Sequence, residues 1–266
     1  GYTPGGTDRQ ELLPFMLSQV LDRFVRFLEA HPGETVLVHM KYENTSGTGK
    51  TGWDRSVVSL IRTHCEGRIA DFHPRMTLAD ARGKILFVIR EDYKSSNDGQ
   101  YLGAYLNWTH DKVVFDTTLS GNDVGQAPIR VNDLYNIKNG ASDGKTKYAA
   151  IEECIDYTYN TTDVTRWCMN YVSCYDTAHC SVSGVNIFGA VGDYDYCANL
   201  YNRYTADRLN RSDFRGNVGI VLMDFAGASH ATMTYGQTWS EMEVYGDDLV
   251  RAVVGNNNKW PIRCNE

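Results

Sequence analysis

The chain has 266 residues, of which 42% are hydrophobic and 22% charged, and its formal net charge is −7. That length and composition fit a globular protein with one large α/β domain or two small ones, and the acidic balance offers no electrostatic footprint for nucleic acid. No apolar stretch approaches the roughly 20 residues that a membrane-spanning helix needs, and no signal-peptide pattern is visible at the N-terminus.

Residues 12–30 are expected to form a helix, because Val20, Leu21, Phe24 and Leu28 recur at helical spacing and Pro14 is tolerated near a helix start. The HPGE turn at 31–34 ends it, and a strand is expected over 35–41. A Gly/Ser/Thr loop at 45–52 leads to a second helix over about 53–64, with Val57, Val58, Leu60 and Ile61 on its apolar side. TLADARG at 77–83 reads as a short helix opened by Thr77 and closed by Gly83, which feeds a strand over 84–90. Residues 91–127 read as irregular apart from a short strand at Lys112–Phe115.

A strand over 128–132 and a helix over roughly 143–158 come next. Residues 160–184 read as a cysteine-rich insertion, and VNIFGAV at 185–191 as a fifth strand. A helix near 194–210, a strand over 217–224 and a last helix near 239–254 complete the pass. No internal repeat or flexible linker interrupts the chain, so a single domain is expected. Alternating strands and helices imply a parallel sheet with right-handed crossovers.

The four apolar runs TVLVHMKYE (35–43), KILFVIR (84–90), PIRVNDLY (128–135) and VGIVLMD (218–224) each end in ionisable or hydroxyl-bearing residues. Uninterrupted apolar runs of this length suit strands buried on both faces. The C-terminal ends of such strands are where α/β barrels and doubly wound sheets place their chemistry. Lys41, Glu43, Arg90, Asp133, Tyr135 and Asp224 are therefore the candidate site residues. Each alone also fits an ordinary surface ion pair or loop cap; recurrence at four strand ends favours a shared site.

These strand ends, in order, resemble those of phosphatidylinositol-specific phospholipase C of the bacterial, metal-independent type. The resemblance rests on LSQVLDRFVRFLEAHPGETVLVHMKYE (17–43), LADARGKILFVIR (78–90), VNDLY (131–135) and GIVLMDF (219–225). It implies an α/β fold, a distorted TIM-type (β/α) barrel. Lys41, Glu43, Arg90, Asp133 and Tyr135 match the positions that hold the inositol ring. Carboxylates accept from ring hydroxyls, while Lys and Arg donate to them and to phosphate. Asp224 matches the carboxylate that orients the catalytic base histidine, as in a serine-protease triad.

In that family one histidine takes the proton of the inositol 2-hydroxyl, which attacks phosphorus, and a second protonates the departing diacylglycerol oxygen. Both histidines, an arginine and three strands normally precede the segment at residue 17, and residues 1–16 supply no match for them. The expectation is a chain incomplete at its N-terminus, lacking the N-terminal strands, with the barrel's remaining five core strands and no activity as it stands. None of the seven histidines matches a catalytic position, and His39 reads as a hydrogen-bonded core residue.

The resemblance further implies a secreted phosphodiesterase of the lyase type, acting as a monomer on membrane phosphatidylinositol or glycosyl-phosphatidylinositol anchors through peripheral contact. Trp108, Trp167, Tyr171 and Tyr175 are the candidate interfacial aromatics. Some relatives hold calcium on carboxylates; Glu43 could join such a site, but Lys41 and Arg90 would repel a divalent cation, so no cofactor is expected. Two other readings share the mouth: a non-catalytic inositol-phosphate or glycan-binding module, and a glycerophosphodiester phosphodiesterase. A phosphate-binding loop at SGTGKTG (46–52) fails the full pattern, because Asn44 stands where its first glycine belongs.

Seven cysteines, five of them between 154 and 197, are expected to form a disulfide-stapled surface excursion. The sequons at Asn44, Asn107, Asn160 and Asn210 fit an exported protein.

Overall fold

A computed structural model describes residues 16–42, 50–108, 112–122, 125–138, 141–159, 165–176, 192–235 and 238–259. The elements run in chain order as α1 (Leu17–Ala30), β1 (Val36–Met40), α2 (Lys50–His64), α3 (Leu78–Ala81), β2 (Ile85–Ile89), β3 (Ala104–Tyr105), β4 (Phe115–Ser120), β5 (Gln126–Asn132), β6 (Asn136–Ile137) and α4 (Ala141–Tyr159). They continue as β7 (Trp167–Tyr171), β8 (Tyr175–Asp176), α5 (Gly192–Asn210), β9 (Ile220–Leu222), β10 (His230–Tyr235), β11 (Thr238–Glu243) and α6 (Gly246–Asn257). Hydrogen bonding orders seven strands in one sheet as β1-β2-β3-β4-β5-β7-β9. The class is α/β, and the sheet is that of a distorted TIM-type barrel.

Two compact units make up the chain, Gly1–Trp108 with Thr118–Pro128, and Thr109–Thr117 with Ile129–Glu266. In the first, β1 and β2 run parallel in register from Val36 opposite Ile85 to Met40 opposite Ile89. All five residues of β2 are buried. Ile85, Phe87 and Ile89 pack with Leu21 and Leu28 of α1 and with Val57, Val58 and Ile61 of α2. Side chains alternate along a strand, so Leu86, Val88 and then Arg90 face away from these helices. Thr77 caps α3 as expected: the Asp80 amide donates to its hydroxyl at 3.4 Å, while the Thr77 amide donates to the Asp80 carboxylate at 2.8 Å.

Gly103 sits where β3 comes hard against β2. Its φ is +78°, and a Cβ there would lie 2.4 Å from the Phe87 carbonyl oxygen. Both the left-handed backbone and the close approach require glycine. Gly103→Ala is expected to lower unfolding stability by about 1–3 kcal/mol, the usual cost of forcing extra volume into a packed site. Urea denaturation with an unchanged m-value would measure it.

The second unit centres on parallel β5, β7 and β9. Asn132 lies opposite Asn170, and Asn170 opposite Val221. Ile151 and Ile155 of α4, Cys197, Tyr201 and Leu209 of α5, and Leu249 and Ala252 of α6 form its apolar core with Val172, Phe214 and Val218.

Several expected elements differ. The strand expected over 128–132 is present and starts at Gln126, whereas residues 115–120 form a strand where mostly irregular chain was expected, because the alternation in FDTTLS is diluted by its exposed polar positions. Trp167–Tyr171, inside the stretch read as an insertion, is a strand of the main sheet. Residues 239–243 are the second arm of the antiparallel pair β10–β11, and α6 starts only after Tyr245, whose φ is 51°. VNIFGAV lies outside the described residues.

The disulfide expectation is corrected. No disulfide joins any two of Cys65, Cys154, Cys168, Cys174 and Cys197, all of which are buried. The Cys168 thiol of β7 instead donates to the Cys154 carbonyl of α4 at 3.7 Å, so these two cysteines pack as core residues between helix and sheet. Cys180 and Cys264 lie outside the described residues.

Candidate active site

In the first unit the cationic residues arise from the parallel register. The Arg90 amide donates to the Met40 carbonyl at 3.0 Å, so β1 and β2 end level. Lys41 and Arg90 leave the two strands side by side, and His39 shares their face. Arg90 is only 6% exposed. One guanidinium nitrogen donates to the Trp108 carbonyl at 2.5 Å, and the guanidinium carbon stands 3.8 Å from the centre of the Trp108 ring. His39 stacks on the same indole, with ring centres 5.7 Å apart and planes 6° from parallel.

Burial, then the positive charges of Arg90 and Lys41, push the His39 pKa down to about 4. The imidazole is neutral at physiological pH, in keeping with a core role rather than that of a proton donor. The Tyr42 amide donates to a Glu91 carboxylate oxygen at 2.9 Å, tying the two strand exits together. Glu43 lies outside the described residues. Trp108, expected as an interfacial aromatic, is packed at 9% exposure against Arg90 and His39.

The second unit gathers Asp133, Tyr135 and Asp224. Asp133 is 5% exposed, and its amide donates to the Lys112 carbonyl at 3.1 Å. Tyr135 is 37% exposed, and its carbonyl accepts from the Tyr175 amide at 2.7 Å. Beneath them lies a buried amide ladder. Asn132 Nδ2 donates to Asn170 Oδ1 at 2.9 Å and to the Tyr171 carbonyl at 3.1 Å, and Asn170 Nδ2 donates to the Ile151 carbonyl at 3.2 Å. Asp224 follows β9, where Asn202 Nδ2 holds its carbonyl at 3.1 Å.

Lys147, which the sequence analysis did not single out, belongs to this group. Its side chain is fully buried, and Nζ donates to the carbonyls of Leu134 at 2.6 Å, Tyr171 at 2.5 Å and Ser173 at 3.0 Å. Residues 147, 151, 154, 155 and 158 recur on one face of α4 and are all buried. A lysine on the apolar side of that helical repeat was the available signal.

Burial raises the Asp224 carboxyl to about 6, against an opposing pull from Lys147. A folded-state pKa above the ordinary 3.8 means that the native protein binds the extra proton between pH 3.8 and 6. Asp224 therefore costs stability progressively as the pH rises through that window. Asp224→Asn should remove the loss, raising stability at pH 7 relative to pH 4 by about 1–2 kcal/mol once partial exposure is allowed for. Parallel urea titrations at the two pH values measure it.

The sequence candidates thus fall into two groups, Lys41 with Arg90 in one unit and Asp133, Tyr135 and Asp224 in the other. Among the described residues no cluster of His, Cys, Asp and Glu is placed to hold a metal ion. No helix among them is long and apolar enough to cross a membrane.

The chain is similar in fold to solved structures of the phosphatidylinositol-specific phospholipase C of Staphylococcus aureus. A variant carrying pentafluorophenylalanine aligns at a TM-score of 0.62 and 18% identity, over 89% of this chain and 70% of that one. A structure addressing modulation of that enzyme's membrane binding aligns at 0.62 and 17%, over 90% and 71%. A double mutant of the same enzyme aligns at 0.58 and 17%, over 89% and 70%. No family model and no curated protein matches the chain. At these identities the likeness shows a common fold, a distorted (β/α) barrel of the phosphatidylinositol-specific phospholipase C type.

Proposed function

We propose that this protein is a secreted phosphodiesterase of the lyase type directed at phosphatidylinositol or glycosyl-phosphatidylinositol anchors, releasing diacylglycerol and a cyclic inositol phosphate. In this reading Lys41, Glu43, Arg90, Asp133 and Tyr135 bind the head group, and Asp224 orients the base histidine. The observation that carries it is the coincidence of a phospholipase-type fold over nine-tenths of the chain with charged side chains at its strand exits.

The chemistry of the residues supports these roles. Arg90 brings a fixed positive charge and a fork of N–H donors to the β2 exit, which suit a phosphate or hydroxyl oxygen. Asp133 accepts from ring hydroxyls, and the half-exposed Tyr135 offers both a ring face and a hydroxyl. Ionised Asp224 holds an imidazole in one tautomer and stabilises the imidazolium that forms when the 2-hydroxyl proton is taken. Attack by that hydroxyl on phosphorus displaces the diacylglycerol oxygen, which leaves with a proton from a second histidine.

No histidine is assigned here to either proton transfer, so head-group binding is the first test of the reading. Saturation-transfer NMR should detect myo-inositol 1-phosphate and give no signal for glucose 1-phosphate. Where both histidines are present, ³¹P NMR of phosphatidylinositol vesicles should show a cyclic phosphate. Equal response to the two sugars, or an acyclic product from the outset, would overturn the reading.

A further inference from the structure

Lys147 occupies a position where an ammonium is costly to bury unless every proton is bonded. All three are: Nζ has three donors and three carbonyl acceptors, at 2.5–3.0 Å. Those carbonyls are not scattered. Leu134 stands between Asp133 and Tyr135 after β5, and Tyr171 and Ser173 belong to the exit of β7. The amides of Val172 and Ser173 in turn donate to the Leu222 carbonyl of β9 at 2.8 and 3.1 Å, two residues before Asp224. One cation therefore joins the ends of β5 and β7, and the backbone after β7 carries the link on to β9.

We propose that Lys147 is a positioning residue, whose buried ammonium clasps the β5 end that bears Asp133 and Tyr135 to the β7 end that holds β9 ahead of Asp224, and supplies positive charge to the Asp224 carboxylate. It touches no reacting atom. Its role in catalysis rests on the function proposed above, but the clasp stands on the geometry alone. The titratable groups around Nζ are Asp133 after β5, Cys154 on α4, Cys174 after β7, Cys197 on α5 and Asp224 after β9. Burial lowers the lysine to about 8, and it remains charged at neutral pH. The acidic residues among those groups, Asp133 and Asp224, both follow strands of the main sheet.

The consequence is a carboxylate that stays ionised in a buried place. Without the ammonium, the burial that already raises Asp224 would go unopposed, and the carboxyl would hold its proton to higher pH. A protonated carboxyl does not stabilise an imidazolium.

Reciprocal titrations test this without any substrate. With ¹³C-labelled aspartate, Lys147→Met should move the Asp224 midpoint up by about one unit or more. With ¹⁵N-labelled lysine, Asp224→Asn should move the Lys147 midpoint down by a matching amount, because a coupling between two sites is reciprocal. The neutral, near-isosteric asparagine keeps the second arm readable if Lys147→Met does not fold. Midpoints that stay in place in a folded variant would overturn the proposal. A protein that ignores inositol phosphate yet shows both shifts would refute the phospholipase reading and leave the clasp standing.

Discussion

Lys147→Ala is expected to lower unfolding stability by about 3–5 kcal/mol, more than any other single change considered. The range is that of removing one partner from a buried, fully bonded charged group. Three carbonyls lose their donor in a place water does not reach, and each unsatisfied acceptor costs about 1–3 kcal/mol. The individual losses do not add, because the strand ends relax, so the lower range is the better expectation. Thermal and urea unfolding of both proteins would measure it. A loss under 1 kcal/mol would mean that the carbonyls find other partners and that the clasp does not hold them. Lys147→Arg should rescue little, since a planar fork cannot reproduce the compact arrangement of three donors.

Arg90→Ala should weaken myo-inositol 1-phosphate binding by about 10–150-fold, which corresponds to 1.5–3 kcal/mol for a charged hydrogen bond. The same change strands the Trp108 carbonyl and removes the cation from the indole face, so stability falls as well. Separating the two effects needs a control. Trp108→Phe keeps both the backbone carbonyl and an aromatic face, and should leave binding within a few-fold of the parent. If Arg90→Ala binds the sugar phosphate as the parent does while remaining folded, Arg90 is a structural residue of the β2 exit. Its place among the head-group residues would then be lost.

The parts of the fold that were legible in the sequence are those where one signal dominates. ILFVI can only be an inner strand, since five consecutive apolar residues leave no face for water, and all five are buried. Leu21 and Leu28 fix the inner side of α1, and both are buried. The strand at Trp167–Tyr171 was hidden because its core positions are filled by Cys168, Met169 and Asn170, which do not read as a hydrophobic run. Asn170 is nonetheless buried, since its amide is satisfied by Asn132 and by Ile151. TWSEME was misjudged for a different reason. Its polar residues alternate in a way that a short helix also tolerates, and only pairing with His230–Tyr235 decides between the two.

The candidate site shows the same division. Lys41, Arg90, Asp133 and Asp224 were visible because each charge ends an apolar run. Lys147 was not, because a lysine within a helix ordinarily lies on the solvent side, and its burial depends on carbonyls 13, 24 and 26 residues away in the chain. Trp108 was seen and misassigned: its indole reads as a surface anchor until Arg90 and His39 are placed on it.

The described cysteines are distributed unevenly: Cys65 lies in the first unit, whereas Cys154, Cys168, Cys174 and Cys197 lie in the second. Burial raises the Cys65 thiol to about 11, and Cys168 is raised as well, by its contact with Cys154 and by burial. A sulfhydryl reagent can therefore reach these sulfurs only when the surrounding packing parts. The kinetics of their labelling, read site by site by mass spectrometry, would report how often each half of the molecule breathes.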